Sequence, residues 1–121
     1  MARLVKAMVS NDPARVLTCI SKRKPTWLFS SGPDGHTRKM RFPYTEIEKG
    51  MKADGDFWYY FFDDDSELLR GVQRNQRWPL VKGTMFVPPE YATDPDNAPA
   101  GIRWRKEGDA YVIDAIFDSG S

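Results

Sequence analysis

The chain has 121 residues, a formal net charge of +1, 40% hydrophobic residues and 13% aromatic residues. This length fits one domain, because two separate cores would each be too small to be stable. The aromatic content excludes wholesale disorder, and no apolar run approaches the ~20 residues of a membrane-spanning helix.

Two features of the sequence indicate a reducing compartment. Cys19 is the only cysteine, so no internal disulfide can form. The apolar stretch of residues 1–10 is interrupted at Lys6 and no cleavage-site pattern follows it, which argues against a signal peptide. We therefore expect a cytoplasmic protein.

Charge is distributed unevenly along the chain. Residues 1–43 carry nine basic and two acidic side chains, residues 44–69 carry two basic and eight acidic ones, and residues 70–121 carry seven of each. We expect the basic and acidic segments to pack side by side and to neutralise each other. The alternative is a large dipole that steers a charged partner.

The N-terminal region contains one clear helix signal. Residues 2–9 fit neither the helical nor the strand period well, so a strand and a short helix both remain open. Asp12 followed by Pro13 is typical of an N-cap with proline at the first helical position. Apolar residues three, four and seven positions after Pro13 form one stripe, which predicts a helix near 13–22.

The clearest local pattern is a hairpin. Strand-like runs at residues 26–30 and 37–42 flank Gly32-Pro33-Asp34-Gly35, in which proline fixes φ and glycine supplies a positive φ. We expect the two arms of this hairpin to contribute three aromatic side chains to the core, namely Trp27, Phe29 and Phe42.

The middle of the chain predicts a helix, a strand and a second helix. A short helical segment begins at Thr45 and ends at Gly50 or after Lys52. The six aromatic residues at 57–62 predict a strand. The acidic run 63–66 then caps a helix, which Gly71 weakens by about 1 kcal/mol relative to alanine. The apolar stripe of this helix comprises Leu68, Leu69 and Val72.

The last third of the chain predicts strands around one long loop. Residues 80–87 read as a strand with a glycine bend, and residues 88–101 hold four prolines and no apolar period, which predicts a mobile loop. Residues 102–106 and 111–117 form a second hairpin, followed by a frayed tail at 118–121. The whole chain is thus predicted to be a single α+β domain, with two or three short helices packed on a mainly antiparallel sheet.

Groups suited to catalysis are sparse. His36 is the only histidine, and its place after a turn predicts an exposed polar residue rather than a catalytic one. Cys19 is expected in the core rather than as a nucleophile. The acidic run 63–67 lacks the alternating ligands and central glycine of a calcium loop, so it predicts a helix start. We therefore expect no catalytic residue, no metal site and no cofactor.

Two groups of residues are suited to binding a partner. On the predicted aromatic strand, the face with Trp58 and Tyr60 would form an interface or a stacking platform, unless helices cover it as on an ordinary central strand. The second group interleaves arginine with tryptophan, a combination that binds phosphates and stacks on bases. Its members are Arg70, Arg74, Arg77, Trp78, Arg103, Trp104 and Arg105. Arg70, Arg74 and Arg77 would lie in a row on the predicted helix. The alternative for this row is a solvated helix face in which Glu67 pairs with Arg70.

The sequence therefore predicts a small binding protein, of the inhibitor or adaptor type found among phage and mobile-element accessory proteins, that occupies a surface of a partner protein. The alternative is a single-stranded nucleic-acid-binding protein that uses the arginine and tryptophan residues. A third hypothesis is a small RNA-cleaving enzyme, in which His36 acts with Lys39, Arg38 or Arg41. The oligomeric state stays open.

Overall fold

The computed structural model describes residues 2–31, 37–52, 54–73 and 78–118. The helices over these ranges are α1 (Ala2–Val9), α2 (Pro13–Leu17), α3 (Tyr44–Gly50), α4 (Asp56–Phe62) and α5 (Glu67–Gln73). The strands are β1 (Thr26–Ser31), β2 (Thr37–Phe42), β3 (Leu80–Val81), β4 (Met85–Phe86), β5 (Ala100–Glu107) and β6 (Ala110–Asp118). Short 3-10 turns at Pro89–Tyr91 and Pro95–Asn97 lie between β4 and β5.

The described strands form one sheet in the order β2-β1-β6-β5-β4-β3. Neighbouring strands are antiparallel except β1 and β6, which run parallel. A parallel pair requires a long connection, and here most of the chain lies between the two strands. This arrangement confirms the predicted α+β class, the mainly antiparallel sheet and both hairpins.

The described helices pack on one face of the sheet and enclose the main core. Apolar side chains from all five helices meet those of the strands in a single cluster. Its most deeply buried members include Leu4, Val16, Ile47, Phe61, Ile102, Ile113 and Ile116. The other face carries a smaller cluster, made by strand residues and by the connection between β4 and β5. That connection contributes Tyr91 and the buried Ala98, so it is a packed segment with two turns.

The aromatic run at 57–62 forms helix α4, so the predicted strand is wrong. Its burial follows the helical period: Phe57, Phe61 and Phe62 are buried, whereas Tyr59 is 40% exposed. A strand would have placed Phe57, Tyr59 and Phe61 on the same face. The strand preference of aromatic side chains depends on context, and here packing against the sheet overrides it.

The predicted helix near 13–22 begins where expected and ends early. Asp12 caps it, because its carboxylate accepts a hydrogen bond from the backbone N–H of Arg15 at 3.3 Å. The helix ends at Leu17, and the chain then turns so that Ile20 pairs with Ile113 beside the sheet. Residues 2–9, which were open between strand and helix, form α1. The predicted turn at 32–35, His36 and residues 119–121 lie outside the described residues.

The aromatic side chains of the first hairpin do not share one core. Phe42 faces the helices, where its ring meets that of Phe57 at 5.1 Å between centroids in a T-shaped contact. Trp27 and Phe29 lie on the opposite face of the sheet, because side chains alternate along a strand and the buried Leu28 faces the helices. The expectation that Trp27, Phe29 and Phe42 belong together is corrected accordingly.

Candidate functional site

The first hairpin places aromatic and basic side chains on the sheet face opposite the helices. In the register of β1 and β2, Trp27 lies opposite Arg41, and Phe29 lies opposite Lys39. The Arg41 guanidinium carbon is 5.2 Å from the centre of the Trp27 ring, and the Lys39 ammonium is 6.0 Å from that of Phe29. Both distances allow cation–π attraction, which holds the charges above the rings.

Strands β5 and β6 extend this surface across the sheet. The ring of Phe117 is stacked with that of Phe29 at a centroid distance of 5.3 Å, and the guanidinium of Arg103 lies 5.2 Å from the Phe29 centroid. Trp27, in turn, is stacked with Phe29 at 6.0 Å. We call this surface the aromatic-basic face; it comprises Trp27, Phe29, Lys39, Arg41, Arg103 and Phe117.

A β-bulge in β6 positions Asp114, whose carboxylate bonds Arg103. Arg103 pairs with Ala115 and Trp104 with Ile113, so Asp114 is the extra residue of β6. Its carboxylate accepts a hydrogen bond from Arg103 Nε at 2.7 Å and another from Arg105 Nε at 3.3 Å. Asp114 therefore fixes both arginines, and Arg103 is held between this carboxylate and the Phe29 ring.

Arg105 is held by a second carboxylate as well. Its Nη1 donates to Glu107 at 3.0 Å, and Ser21 Oγ donates to the same carboxylate at 2.6 Å. The hydrogen bond from Ser21, followed by that from Arg105, lowers the pKa of Glu107 below its ordinary value of 4.5. The side chain of Arg105 is 22% exposed, so its charge is matched and largely covered. Arg105, which the sequence placed on a binding surface, is therefore mostly covered and ion-paired within the molecule.

Lys39 and Arg41 differ from these arginines, because no carboxylate of the described residues pairs with them. Both side chains are exposed on β2, an edge strand of the sheet. Among residues 2–31, 37–52, 54–73 and 78–118, neither cation lies within 4.0 Å of a carboxylate oxygen, whereas Arg103 and Arg105 do. The aromatic-basic face therefore presents two cations whose hydrogen-bond donors are available to an anion.

An open cavity lies on the aromatic-basic face. Its volume is about 500 Å³, which is within the range of small-ligand pockets. The side chains that line it are Phe29, Thr37, Lys39, Asn97, Arg103 and Phe117. The amide nitrogen of Asn97 donates to Asp94 at 2.8 Å, which orients the side chain and leaves its oxygen as an acceptor. The cavity thus combines aromatic surface, two cations and an amide.

Those arginine and tryptophan residues of the expected binding group that the structure describes are not brought together as one surface. Trp78 and Trp104 are 9% and 7% exposed and belong to the main core, which corrects the expectation that they form a stacking surface. Arg70 is exposed opposite buried Leu68 and Leu69, as expected, and pairs with Asp65 at 3.3 Å rather than with Glu67. Arg74 and Arg77 lie outside the described residues.

Helix α4 carries the two aromatic residues that were expected on a strand face. Trp58 is half-buried and lines an open groove between α2, α3 and α4, together with Pro13, Leu17 and Met51. Tyr60 is half-buried against Phe57, and burial, with a smaller effect of Asp118, raises the pKa of its phenol to about 12. These residues lie on the helix side of the sheet and take no part in the aromatic-basic face.

Sequence reasoning missed the aromatic-basic face, although a signal for it was present. Aromatic residues at 27 and 29 and basic residues at 39 and 41 each recur with the strand period of two. Placed in register across the predicted hairpin, each aromatic residue lies opposite a basic one. From the sequence, Trp27 and Phe29 were expected in the core, and the basic residues were considered for RNA cleavage alone.

Neither a metal centre nor a bilayer-spanning helix is present in the described part of the chain. Among the residues that the structure describes, no three His, Cys, Asp or Glu side chains are close enough to hold a metal ion. In the same ranges, no helix has the length and apolar character needed to cross a bilayer. Comparison with protein-family models, with curated proteins and with solved structures finds no match for this chain.

Proposed function

We propose that this chain is a small binding protein that acts by attaching an anionic macromolecular partner to its aromatic-basic face. The proposal keeps the binding role expected from the sequence. It moves the site to Trp27, Phe29, Lys39 and Arg41, and it retains Arg103 from the arginine and tryptophan residues expected from the sequence. The inhibitor or adaptor role expected from the sequence would follow from such attachment, since an occupied partner surface is closed to other molecules.

The observation that carries this proposal is the pair of unmatched cations beside half-buried rings. Lys39 and Arg41 stand over Phe29 and Trp27 at cation–π distance, and no carboxylate of the described residues pairs with them. Cations held in position by rings lose less side-chain entropy when an anion binds than freely moving ones do. Arg103 lies on the same face, where Asp114 orients its side chain and pairs with its charge.

Charge reversal on β2 tests the site with a control on the same strand. The variant is Lys39→Glu with Arg41→Glu, and the probe is immobilised heparin, a generic polyanion. We expect the wild type to be retained at low salt and the variant to elute at a clearly lower salt concentration. Arg38 is also exposed but points to the other face of the sheet, so the Arg38→Glu variant shows the effect of net charge alone.

The double variant reverses two charges and the Arg38→Glu control reverses one. The shift in the salt concentration at elution is therefore compared per reversed charge. Single variants Lys39→Glu and Arg41→Glu provide the matched comparison with Arg38→Glu. Equal elution of all three single variants would mean that the aromatic-basic face has no special affinity for anions. Thermal melts accompany each variant, and we expect exposed substitutions of this kind to change stability by about 0.5 kcal/mol or less.

We also propose a cytoplasmic location. Cys19 is a free thiol, and its side chain is buried in the main core rather than offered for pairing. A small chain without an internal disulfide suits a reducing compartment. Fractionation of cells that express the untagged chain tests this, with recovery in the cytosolic fraction as the expected result.

A further inference from the structure

The three rings of the aromatic-basic face share one orientation. The planes of Trp27 and Phe29 differ by 10°, and those of Phe29 and Phe117 differ by 23°. Their centroids follow one another at 6.0 Å and 5.3 Å. Phe29 is the middle ring of this row, and it also borders the open cavity. Phe117 is 5% exposed, so a flat ligand ring that enters the cavity meets the half-buried ring of Phe29.

The cations on β2 form a second row beside the rings. Lys39 and Arg41 are two residues apart on an extended strand, so their backbone positions are about 6.6–6.8 Å apart. Both point to the same face as Trp27 and Phe29, because they occupy the register positions opposite these rings. A ligand that follows this row must carry repeated negative charges at a comparable spacing.

A single nucleic-acid strand combines the two properties that this surface requires. Each nucleotide carries one phosphate, which suits the cation row, and one flat base, which suits the ring row. An acidic peptide would satisfy the cations but would leave the aligned rings without flat partners. A duplex would present phosphates while its bases stay paired and stacked inside. Unpaired bases stacked on the aromatic side chains of a sheet face are also a recurring mode of single-strand recognition.

We propose that the anionic partner is a single-stranded nucleic acid, with a base placed in the cavity against Phe29 and successive phosphates bound by Lys39 and Arg41. Arg103, fixed by Asp114 at 2.7 Å, then lines the cavity beside the stacked base. This inference rests on the proposed function, since it names the chemical class of the partner for the same face.

Salt-dependent binding of a labelled oligonucleotide tests the cation row. The probe is a fluorescein-labelled single strand of mixed sequence, about twelve nucleotides long, which is within the site sizes of single-strand-binding domains. Fluorescence anisotropy at several salt concentrations gives the slope of log affinity against log salt. We expect the Lys39→Gln, Arg41→Gln double variant to reduce this slope by about 1.4, or about 0.7 for each phosphate that is no longer neutralised. Arg38→Gln, on the other face of β2, should leave the slope unchanged.

Removing a ring without changing charge tests the stacking. Phe29→Leu keeps an apolar side chain of similar size, so the fold should persist. We expect it to weaken binding of the oligonucleotide roughly 5- to 150-fold, the effect of removing one base–aromatic stacking interaction, with an unchanged salt slope. Because Phe29 is half-buried, a thermal melt of the variant is recorded. The Lys39 and Arg41 variants, which change exposed side chains, keep the test valid if Phe29→Leu does not fold.

Competitors decide between a single strand and other polyanions. We expect unlabelled single strand to displace the probe at lower concentrations than either duplex DNA or polyglutamate does. Equal competition by polyglutamate, or an intact affinity in Phe29→Leu, would overturn the single-strand inference while leaving anion binding at this face in place. If, in addition, heparin retention is insensitive to Lys39 and Arg41, the proposed function falls as well.

Discussion

Individual cations in this protein are held in two different ways. Arg105 is bound by the carboxylates of Asp114 and Glu107, so its charge is matched inside the molecule. Arg41 stands over the Trp27 ring and remains exposed. An arginine that is ion-paired with carboxylates holds strands in place. An exposed cation that lies over an aromatic ring keeps its hydrogen-bond donors accessible to an anion. Within the sequence RWRK at 103–106, Arg105 is therefore bound inside the molecule, whereas Lys39 and Arg41 of β2 are exposed.

Glu107 predicts a specific pH dependence of stability. Hydrogen bonds from Ser21 and Arg105 lower its pKa in the folded state below the ordinary value of 4.5. The folded state therefore holds fewer protons than the unfolded state, and the contribution of Glu107 to stability is fully present above pH 4.5. It is lost as the pH falls through the lower, folded-state pKa.

Denaturant titrations of the wild type and of Glu107→Gln between pH 7 and pH 3 check this expectation. We expect the wild type to be the more stable at pH 7, and we expect the difference to shrink as the pH falls below 4.5. Glu46→Gln, on an exposed ion pair of α3, is the control and should change stability by about 0.5 kcal/mol or less. A difference that stays constant down to pH 3 would contradict the role assigned to the two hydrogen bonds.

We predict that the Gly71→Ala substitution changes stability in the direction opposite to that expected from helix propensity. Alanine in the helix α5 would normally add about 1 kcal/mol of stability relative to glycine. A Cβ at position 71 would overlap the ring of Trp78, however, so the ring would have to move within the core. We expect Gly71→Ala to destabilise the protein by about 1–3 kcal/mol in a denaturant titration. In a Trp78→Leu background the same change should lose this penalty, and a stabilising effect in the wild-type background would show that the ring is free to move.

At the scale of elements, helix α4 shows why the composition of residues 57–62 led to the wrong prediction of a strand. Every residue from 57 to 62 is aromatic, so neither a period of two nor a helical period can be read from polarity. Gly55 before the helix is extended, and Asp56 lies in the first turn, where a negative charge suits the helix dipole. The local start signal was present, but the strand preference of six consecutive aromatic residues outweighed it.

Paired truncations in α4 distinguish a helix from a strand in solution. Phe61 is fully buried and Tyr59 is 40% exposed, although a strand would place both on one face. We expect Phe61→Ala to cost about 3–5 kcal/mol of unfolding free energy. Tyr59→Ala should cost about 1 kcal/mol or less, because its side chain contributes little to the core. Similar losses for the two variants would argue against the helix.

Strand β2 is the long edge of the sheet, and its composition fits that position. All the residues from Thr37 to Arg41 are exposed, and three of them are basic. Charged side chains on an edge strand oppose pairing with a second copy, since like charges would meet across the new ladder. The same charges supply the cations of the aromatic-basic face, so one strand serves both purposes.

At the scale of the whole molecule, the ion pairs of the described residues form within segments that are close in the sequence. The ion pairs formed by the described residues lie within residues 12–15, 46–49, 65–70 and 103–114. None of them joins the basic residues 1–43 to the acidic residues 44–69. Mutual neutralisation of the two segments and a dipole that steers a charged partner both stay predictions.

The local elements follow from the sequence: the Asp12 cap, the hairpin arms predicted at residues 26–30 and 37–42, the hairpin of β5 and β6, and the α+β class. These depend on turn residues, caps and alternation, which act over a few residues. The tertiary structure alone decided the parallel pairing of β1 with β6, the helix at 57–62 and which face of the first hairpin meets the helices. Both faces of β1 carry large apolar side chains, so alternation could not tell the core side from the open side. That choice depends on contacts with helices and strands distant in the chain, and it creates the aromatic-basic face.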